Sequence, residues 1–215
     1  MRDALTVLPR FADDIEVTVI DDGSTDRTGK IADDLAKADP RVRVVHHGAR
    51  RGYGGAVRSG LRSATKEFIF FTDGDRQFRI ADLGLLTALI EGVDVVLGYR
   101  LKRQDPPRTR FVAWVYNRVI RVLFFGGFRD VDCAFKLFRR EVFDRVPLAS
   151  VRSNGGFFSA ELLITLRRAG VAMREVGVPH YPRSAGKAKG QHPKVILRAI
   201  RDLLRLRLRL WGLPA

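Results

Sequence analysis

Four apolar residues, Phe68-Ile69-Phe70-Phe71, run into Thr72 and then into two carboxylates one residue apart, Asp73 and Asp75. A short apolar run bounded by polar residues reads as a buried strand. Acids at its carboxyl end stand where open α/β sheets bind their ligands. In extended backbone, residues i and i+2 point to the same side, so Asp73 and Asp75 share a face. Two hard oxygen donors on one side suit Mg²⁺ or Mn²⁺ shared with a substrate diphosphate. The same residues also fit a solvated turn after a strand, so the surrounding chain has to decide.

The surroundings repeat the layout. Glu16-Val17-Thr18-Val19-Ile20 reads as a strand closed by Asp21-Asp22-Gly23-Ser24-Thr25-Asp26, and Asp26 is placed to cap a helix from Thr28 to about Ala38. Arg43-Val44-Val45-His46 is a further strand. It leads into Arg50-Arg51-Gly52-Tyr53-Gly54-Gly55-Ala56 and a helix with Ala56, Ser59, Gly60 and Ser63 on one face. A glycine-rich strand-to-helix loop beside two arginines can hold phosphate. The same glycines fit a tight turn with close helix packing. A helix end over 2–12, a helix over 81–91, a strand over 94–100, a helix opening at 159 and a last strand over 173–178 extend the alternation. Such spacing argues for a mostly parallel, doubly wound sheet flanked by helices. The polar, proline-containing stretch 102–110 is a candidate lid.

Two helices stand apart. Over 111–125 the residues Phe111, Trp114, Val115, Val119, Val122, Leu123, Phe124 and Phe125 leave one narrow polar stripe of Arg110, Asn117 and Arg121. That pattern fits a core helix or an interfacial helix that dips into a bilayer. From Pro193 a basic helix follows, with Lys194, Arg198, Arg201, Arg205 and Arg209 in one stripe. Beyond Leu204 its Leu-Arg alternation also fits a strand. Between Arg183 and Arg209 nine Lys or Arg face a single acid, Asp202. Each basic residue near an anionic lipid surface contributes about 1 kcal/mol, although a charge stripe also serves as a solvated face.

The 215 residues suffice for one domain with a sizeable core, residues 1–190, followed by the helical tail 191–215. A balance of 39 basic to 24 acidic residues, net +15, points to anionic partners such as nucleotide, nucleic acid or membrane phosphate. The single Cys133 excludes a disulfide framework and a multi-cysteine metal site. No apolar run approaches the roughly 18 residues of a spanning helix, and no signal-peptide pattern opens the chain. The expectation is a cytoplasmic protein, peripheral on the cytoplasmic face of the membrane.

Several of these pieces, in this order, resemble the family 2 glycosyltransferases with a GT-A fold, and within them the polyprenyl-phosphate glycosyltransferases of the dolichol-phosphate mannosyltransferase type. The resemblance rests on Val19 through Thr28, Arg51 through Ala56, Thr72 through Phe78, Gly98-Tyr99-Arg100, Asp130 through Leu137, Ser159 through Leu163 and Arg183 through Lys187. It implies a GT-A, Rossmann-like sheet. It also implies an additional strand ahead of residue 1, ending in a Pro-x-Tyr-Asn-Glu-like turn. This chain begins inside the helix that follows. Either its start is misplaced, or it is truncated, or another segment fills the gap. A strand missing from the centre of the sheet would leave its neighbours unpaired.

The resemblance implies transfer of a sugar from a nucleoside-diphosphate sugar of the GDP-mannose or UDP-glucose type to a polyprenyl phosphate, with inversion. Asp73 and Asp75 would hold Mg²⁺ or Mn²⁺ against the departing diphosphate, and Asp22, Gly23, Ser24, Gly52 and Gly54 would line the donor. Gln77 would orient a phosphate or a ligand water. Arg100 and Arg183, assisted by Lys187 from the loop 183–190, would grip phosphate, since the guanidinium fork matches its oxygens. Asp130, Asp132 and Glu161 would stand around the sugar or acceptor mouth. Two other readings are a family 2 transferase with a saccharide or other soluble acceptor and a non-catalytic basic module on lipid or nucleic acid. No nucleic-acid motif accompanies the charge, so no nucleic-acid partner is expected. The sequence does not set the oligomeric state.

Overall fold

The computed structural model describes residues 2–124, 127–183 and 193–212. In chain order these form α1 (Arg2–Val7), β1 (Val17–Asp21), α2 (Thr28–Ala38), β2 (Val42–His46), α3 (Tyr53–Ser63), β3 (Phe68–Thr72), α4 (Gly84–Thr87), β4 (Val95–Leu101), α5 (Pro107–Phe124), β5 (Phe135–Arg139), α6 (Val142–Arg145), α7 (Phe158–Arg168), β6 (Met173–Pro179) and α8 (Pro193–Leu210). Short 3-10 turns follow α1 and precede α4, so the helix expected over 81–91 is a 3-10 turn over Ile80–Leu83 and one α-turn.

The strands fall into two sheets. β1 and β2 pair in parallel, and a second sheet has the order β3-β5-β4-β6. β5 runs against both β3 and β4, whereas β4 and β6 are parallel. The antiparallel β5 was not visible as a strand in Asp130 through Phe138, because Lys136 interrupts its apolar run. It pairs Lys136 with Phe71 of β3 and Leu97 of β4. Among the described residues β1 has no second strand partner beyond β2, and β3 none beyond β5. Side chains join the two sheets near the amino ends of these strands: Glu16 accepts from the amide (2.6 Å) and hydroxyl (3.0 Å) of Thr65.

The core explains why the site lies where it does. Val95, Val96, Phe135, Phe138, Val142, Phe157, Phe158, Leu163 and Leu166 are buried, so β4, β5 and α7 form a rigid centre. β3 lies on the edge of that centre and delivers its carboxyl end to the surface.

α5 begins at Pro107, four residues earlier than its apolar run suggested. It faces the body with Tyr116, Asn117, Ile120, Leu123 and Phe124, while Arg110 and Arg121 of the polar stripe are exposed. Asn117 accepts the Val131 amide at 3.1 Å and donates to the Ala113 carbonyl at 2.9 Å, and Ile120 is its one buried residue among those described. Phe111 and Trp114, each 64% exposed, Val115 and Val122 face outward. α8 is a single helix to Leu210, so the strand alternative for its last turns does not hold. Its Leu203 and Leu206 are buried against the core, while Leu197, Ile200 and Leu204 are exposed. Among the described residues no helix is long and apolar enough to cross a membrane.

Candidate active site

The end of β3 carries the aspartate pair. Asp75 accepts the Gln77 amide at Oδ1 (3.0 Å) and the Arg183 Nη2 at Oδ2 (2.8 Å). The same guanidinium donates to the Gln77 Oε1 at 3.0 Å, and the Tyr181 amide donates to the Gln77 carbonyl at 3.0 Å. The segment leaving β6 is therefore laid across the end of β3. Asp73 differs, because among the described residues no hydrogen bond or ion pair reaches its carboxylate. Burial, reinforced by the charge of Asp75, pushes the Asp73 carboxyl up to about 6, against the pull of Lys136, Arg183 and Arg100.

Behind the pair lies a cation that motif reading left without a role. Lys136 is 2% exposed, its ammonium donates to the Cys133 carbonyl, and its charge acts on Asp132, Asp130 and Asp73. A lysine inside the run Phe135-Lys136-Leu137-Phe138 was the available signal, since a buried ammonium persists only among acceptors. Burial and the Asp130 charge push Asp132 up to about 6. Burial lifts the Cys133 thiol to about 12, which leaves no thiolate for nucleophilic work near neutral pH.

Arg100 joins this cluster through Asp130. Its Nε and Nη2 meet the two carboxylate oxygens at 2.6 Å each, with side chains 12% and 6% exposed. Burial alone would raise the Asp130 pKa, but the Arg100 bonds outweigh it and hold the carboxyl below its ordinary range. Arg103 and Asp105 complete the network, and the Gln104 amide donates to His180 Nδ1 at 3.1 Å. The stretch expected to be a lid is thereby pinned between β4 and β6.

Asp22 is engaged with the chain itself. Its oxygens accept the Arg51 and Gly52 amides at 2.8 Å each and His47 Nδ1 at 2.7 Å. With that nitrogen donating, His47 Nε2 accepts from the Ser59 hydroxyl at 2.8 Å. The turn at Gly23 and Ser24 is closed by the Ser24 amide on Asp21 at 3.0 Å. Close packing accounts for the glycine loop. Gly52 sits at φ +84°, and a Cβ there would meet the Asn154 carbonyl oxygen at 2.8 Å. One at Gly54 would stand 2.6 Å from Phe158 Cβ and 2.9 Å from Asn154 C. Gly54→Ala is expected to cost about 1–3 kcal/mol of stability, read as a lower urea midpoint; an unchanged midpoint would show that α7 yields.

Glu161, expected at the acceptor mouth, is fully buried and saturated by Arg152, Ser153 and Arg209. Lys187 lies outside the described residues. Asp73, Asp75, Gln77, Asp132, Arg100 and Arg183 are thus brought into one neighbourhood, Asp22, Gly52 and Gly54 into an adjoining one, and Glu161 into neither.

The donor set fits a divalent cation in part. Among the described residues no group of three or more His, Cys, Asp or Glu is gathered. Asp73 and Asp75 supply two carboxylates, one unpartnered among the described residues and the other bound to a guanidinium. A diphosphate and water would have to supply the rest, as Mg²⁺ commonly arranges.

The raised carboxyl of Asp132 has a stability consequence. The folded chain keeps this proton up to about pH 6, whereas the unfolded carboxyl loses it near pH 4. Stability therefore falls as pH rises through that window and stays low above it. Asp132→Asn is expected to raise unfolding free energy at neutral pH by about 1–3 kcal/mol and to shallow the slope between pH ~4 and ~6, with Asp73 supplying what remains. Urea unfolding across that range checks it, and an unaltered slope would refute it.

The profile of the Glycosyl transferase family 2 matches residues 2–146. The chain belongs to this family. As a family 2 glycosyltransferase it is 34% identical over 185 residues to the glycosyltransferase AglD of Haloferax volcanii, covering 82% of this chain and 29% of that one. It is 31% identical to the polyprenol monophosphomannose synthase of Mycolicibacterium smegmatis, covering 81% and 70% of the two chains. The undecaprenyl-phosphate mannosyltransferase of Micrococcus luteus is 26% identical over 93% of this chain and 83% of its own. Glucosyl-3-phosphoglycerate synthase from Mycobacterium tuberculosis, solved with Mn²⁺ and UDP-glucose, superposes with a TM-score of 0.69 at 19% identity, over 99% of this chain and 74% of that one. That likeness establishes the GT-A-type α/β fold of this glycosyltransferase.

Proposed function

We propose that this family 2 glycosyltransferase moves a hexose from a nucleoside-diphosphate sugar to a polyprenyl phosphate at an anionic membrane surface. The observation that carries the reading is the Asp73 carboxylate, unpartnered among the described residues, beside Asp75 at the end of β3, backed by Lys136 and faced by Arg183. Relatives named for polyprenol and undecaprenyl phosphate support the acceptor class.

The departing nucleoside diphosphate gains negative charge. Asp73 and Asp75 would hold a divalent ion, Mg²⁺ or Mn²⁺, which would supply Lewis-acid stabilisation of that charge. Arg183, held on Asp75 at 2.8 Å, would exchange that contact for the donor phosphates. Gln77 holds the Arg183 segment at the mouth. Asp22 acts on the donor indirectly, by fixing the turn at Arg51 and Gly52 whose amides it accepts. A phosphate monoester ionises with a second pKa of about 6 and needs positioning rather than deprotonation. Asp132 stands beside Arg100 and Lys136 to orient the sugar or the incoming phosphate.

The outward apolar side of α5 and the basic α8 favour a lipid-linked acceptor over a soluble one. Phe111, Trp114 and Val122 would enter the head-group boundary while Lys194, Arg201 and Arg205 meet anionic lipid. Calorimetry with GDP-mannose and UDP-glucose, with and without Mn²⁺, tests the donor site. Metal-dependent binding of one donor is expected; binding of neither, or binding indifferent to metal, contradicts it.

A further inference from the structure

Glu161 sits where three elements meet. Its carboxylate accepts the Arg152 amide at 3.1 Å, the Ser153 amide at 2.8 Å, the Ser153 hydroxyl and, from α8, the Arg209 guanidinium. The segment 151–156 held in this way is pressed between the glycine loop and α8. Toward the loop, the Asn154 carbonyl accepts the Gly54 amide at 3.0 Å. Arg58 of α3 donates to Asn154 Oδ1 at 2.5 Å and to the Val151 and Ser153 carbonyls at 2.7 and 2.8 Å. Toward α8, a Cβ at Gly155 would stand 3.3 Å from Arg198 Cδ, and one at Gly156 would stand 3.9 Å from Val195 Cγ1. Packing this close transmits displacement.

α8 itself is anchored on one side only. Leu203, Leu206 and the Arg209–Glu161 pair hold it inward, while Leu197 (69% exposed), Ile200 and Leu204 face water. A cover over that outer face favours the seated helix over a loosened one, and any ligand that binds the seated state shifts the population toward it.

We propose that Glu161 and Arg209 are positioning residues that couple the seating of α8 to the glycine loop of the donor site, so that docking on an anionic bilayer tightens donor binding. The inference rests on the donor-site and membrane-surface reading given above. Glu161 acts through Ser153 and Asn154 on Gly54, and touches neither substrate.

The test measures nucleotide-sugar affinity with Mn²⁺ for the chain alone, with neutral phosphatidylcholine vesicles and with vesicles containing phosphatidylglycerol. Anionic vesicles are expected to tighten donor binding about 5-fold or more, and saturating donor to tighten vesicle binding by the same factor. Arg209→Met removes the coupling and leaves the weaker, vesicle-independent affinity, while the remaining basic residues keep the vesicles bound. Arg209→Lys restores part of it, and thermal melts separate lost coupling from lost folding. Should Arg209→Met fail to fold, Arg209→Lys carries the test, with coupling below that of the unsubstituted chain expected. Donor affinity indifferent to vesicles that bind, or full coupling retained in the Arg209 variants, would overturn the inference and leave the functional reading standing. An unsubstituted chain that binds no donor, or no anionic vesicle, would overturn that reading and the inference with it.

Discussion

Asp75→Asn is expected to lower sugar-transfer turnover by about 10³-fold or more, roughly 4 kcal/mol of transition-state stabilisation, the scale on which a fixed electrostatic contact to developing charge acts. The substitution keeps the side chain's size and an oxygen for the Gln77 amide, 3.0 Å away. It removes the charge that a cation needs and the partner that holds Arg183 at 2.8 Å. Asp73→Asn is expected to match it, for a different reason. Asp73 has no hydrogen-bond partner to lose among the described residues, and burial already disfavours its charge. Removing that charge therefore leaves folding intact or improves it while abolishing metal-dependent turnover. Steady-state kinetics with saturating Mn²⁺, beside thermal melts, read both effects. Turnover within tenfold of the unsubstituted chain would contradict the assignment.

The largest loss of stability is expected at Asp130. Asp130→Ala leaves the Arg100 guanidinium buried without its bidentate partner and with only the longer Asp105 contact at 4.0 Å among the described residues, a loss of about 3–5 kcal/mol for a buried charge stripped of its main partner. For a chain of this size each kcal/mol moves the melting temperature by about 2–4 °C, so a fall on the order of 10 °C is expected. The paired replacement Arg100→Met with Asp130→Leu is expected to cost much less, because both desolvated charges disappear together. Melts of the single and double variants check this directly. Equal destabilisation by both would mean that the ion pair itself, rather than the orphaned charge, supports the fold.

What could be read from residues alone follows from how local the signals are. The strand ending in Asp73-Gly74-Asp75 was legible because a short apolar run and its terminal acids are neighbours in sequence. The helix from Thr28 to Ala38 and the strand at 173–178 were legible for the same reason. β5 was not, because Lys136 breaks its pattern and its partners lie across the sheet in β3 and β4. Glu161 looked like a site carboxylate in a helix's first turn. What engages it is Arg209, 48 residues away, a pairing that no spacing announces. The glycine loop admitted two readings, and the Asn154 and Phe158 contacts favour close packing. α5 carried its apolar pattern in full view, yet the buried Ile120 and the Asn117–Val131 bond, not the pattern, fix which side faces the body.

The most direct test of the central claim is product formation. The chain would be given radiolabelled donor, Mn²⁺ and polyprenyl phosphate in vesicles containing phosphatidylglycerol, with 3-phosphoglycerate as the soluble competitor. Label is expected in the organic phase, dependent on metal and on Asp75, with little transfer to phosphoglycerate. Transfer to the soluble acceptor alone, or none to lipid by protein that binds donor and metal, would contradict the account.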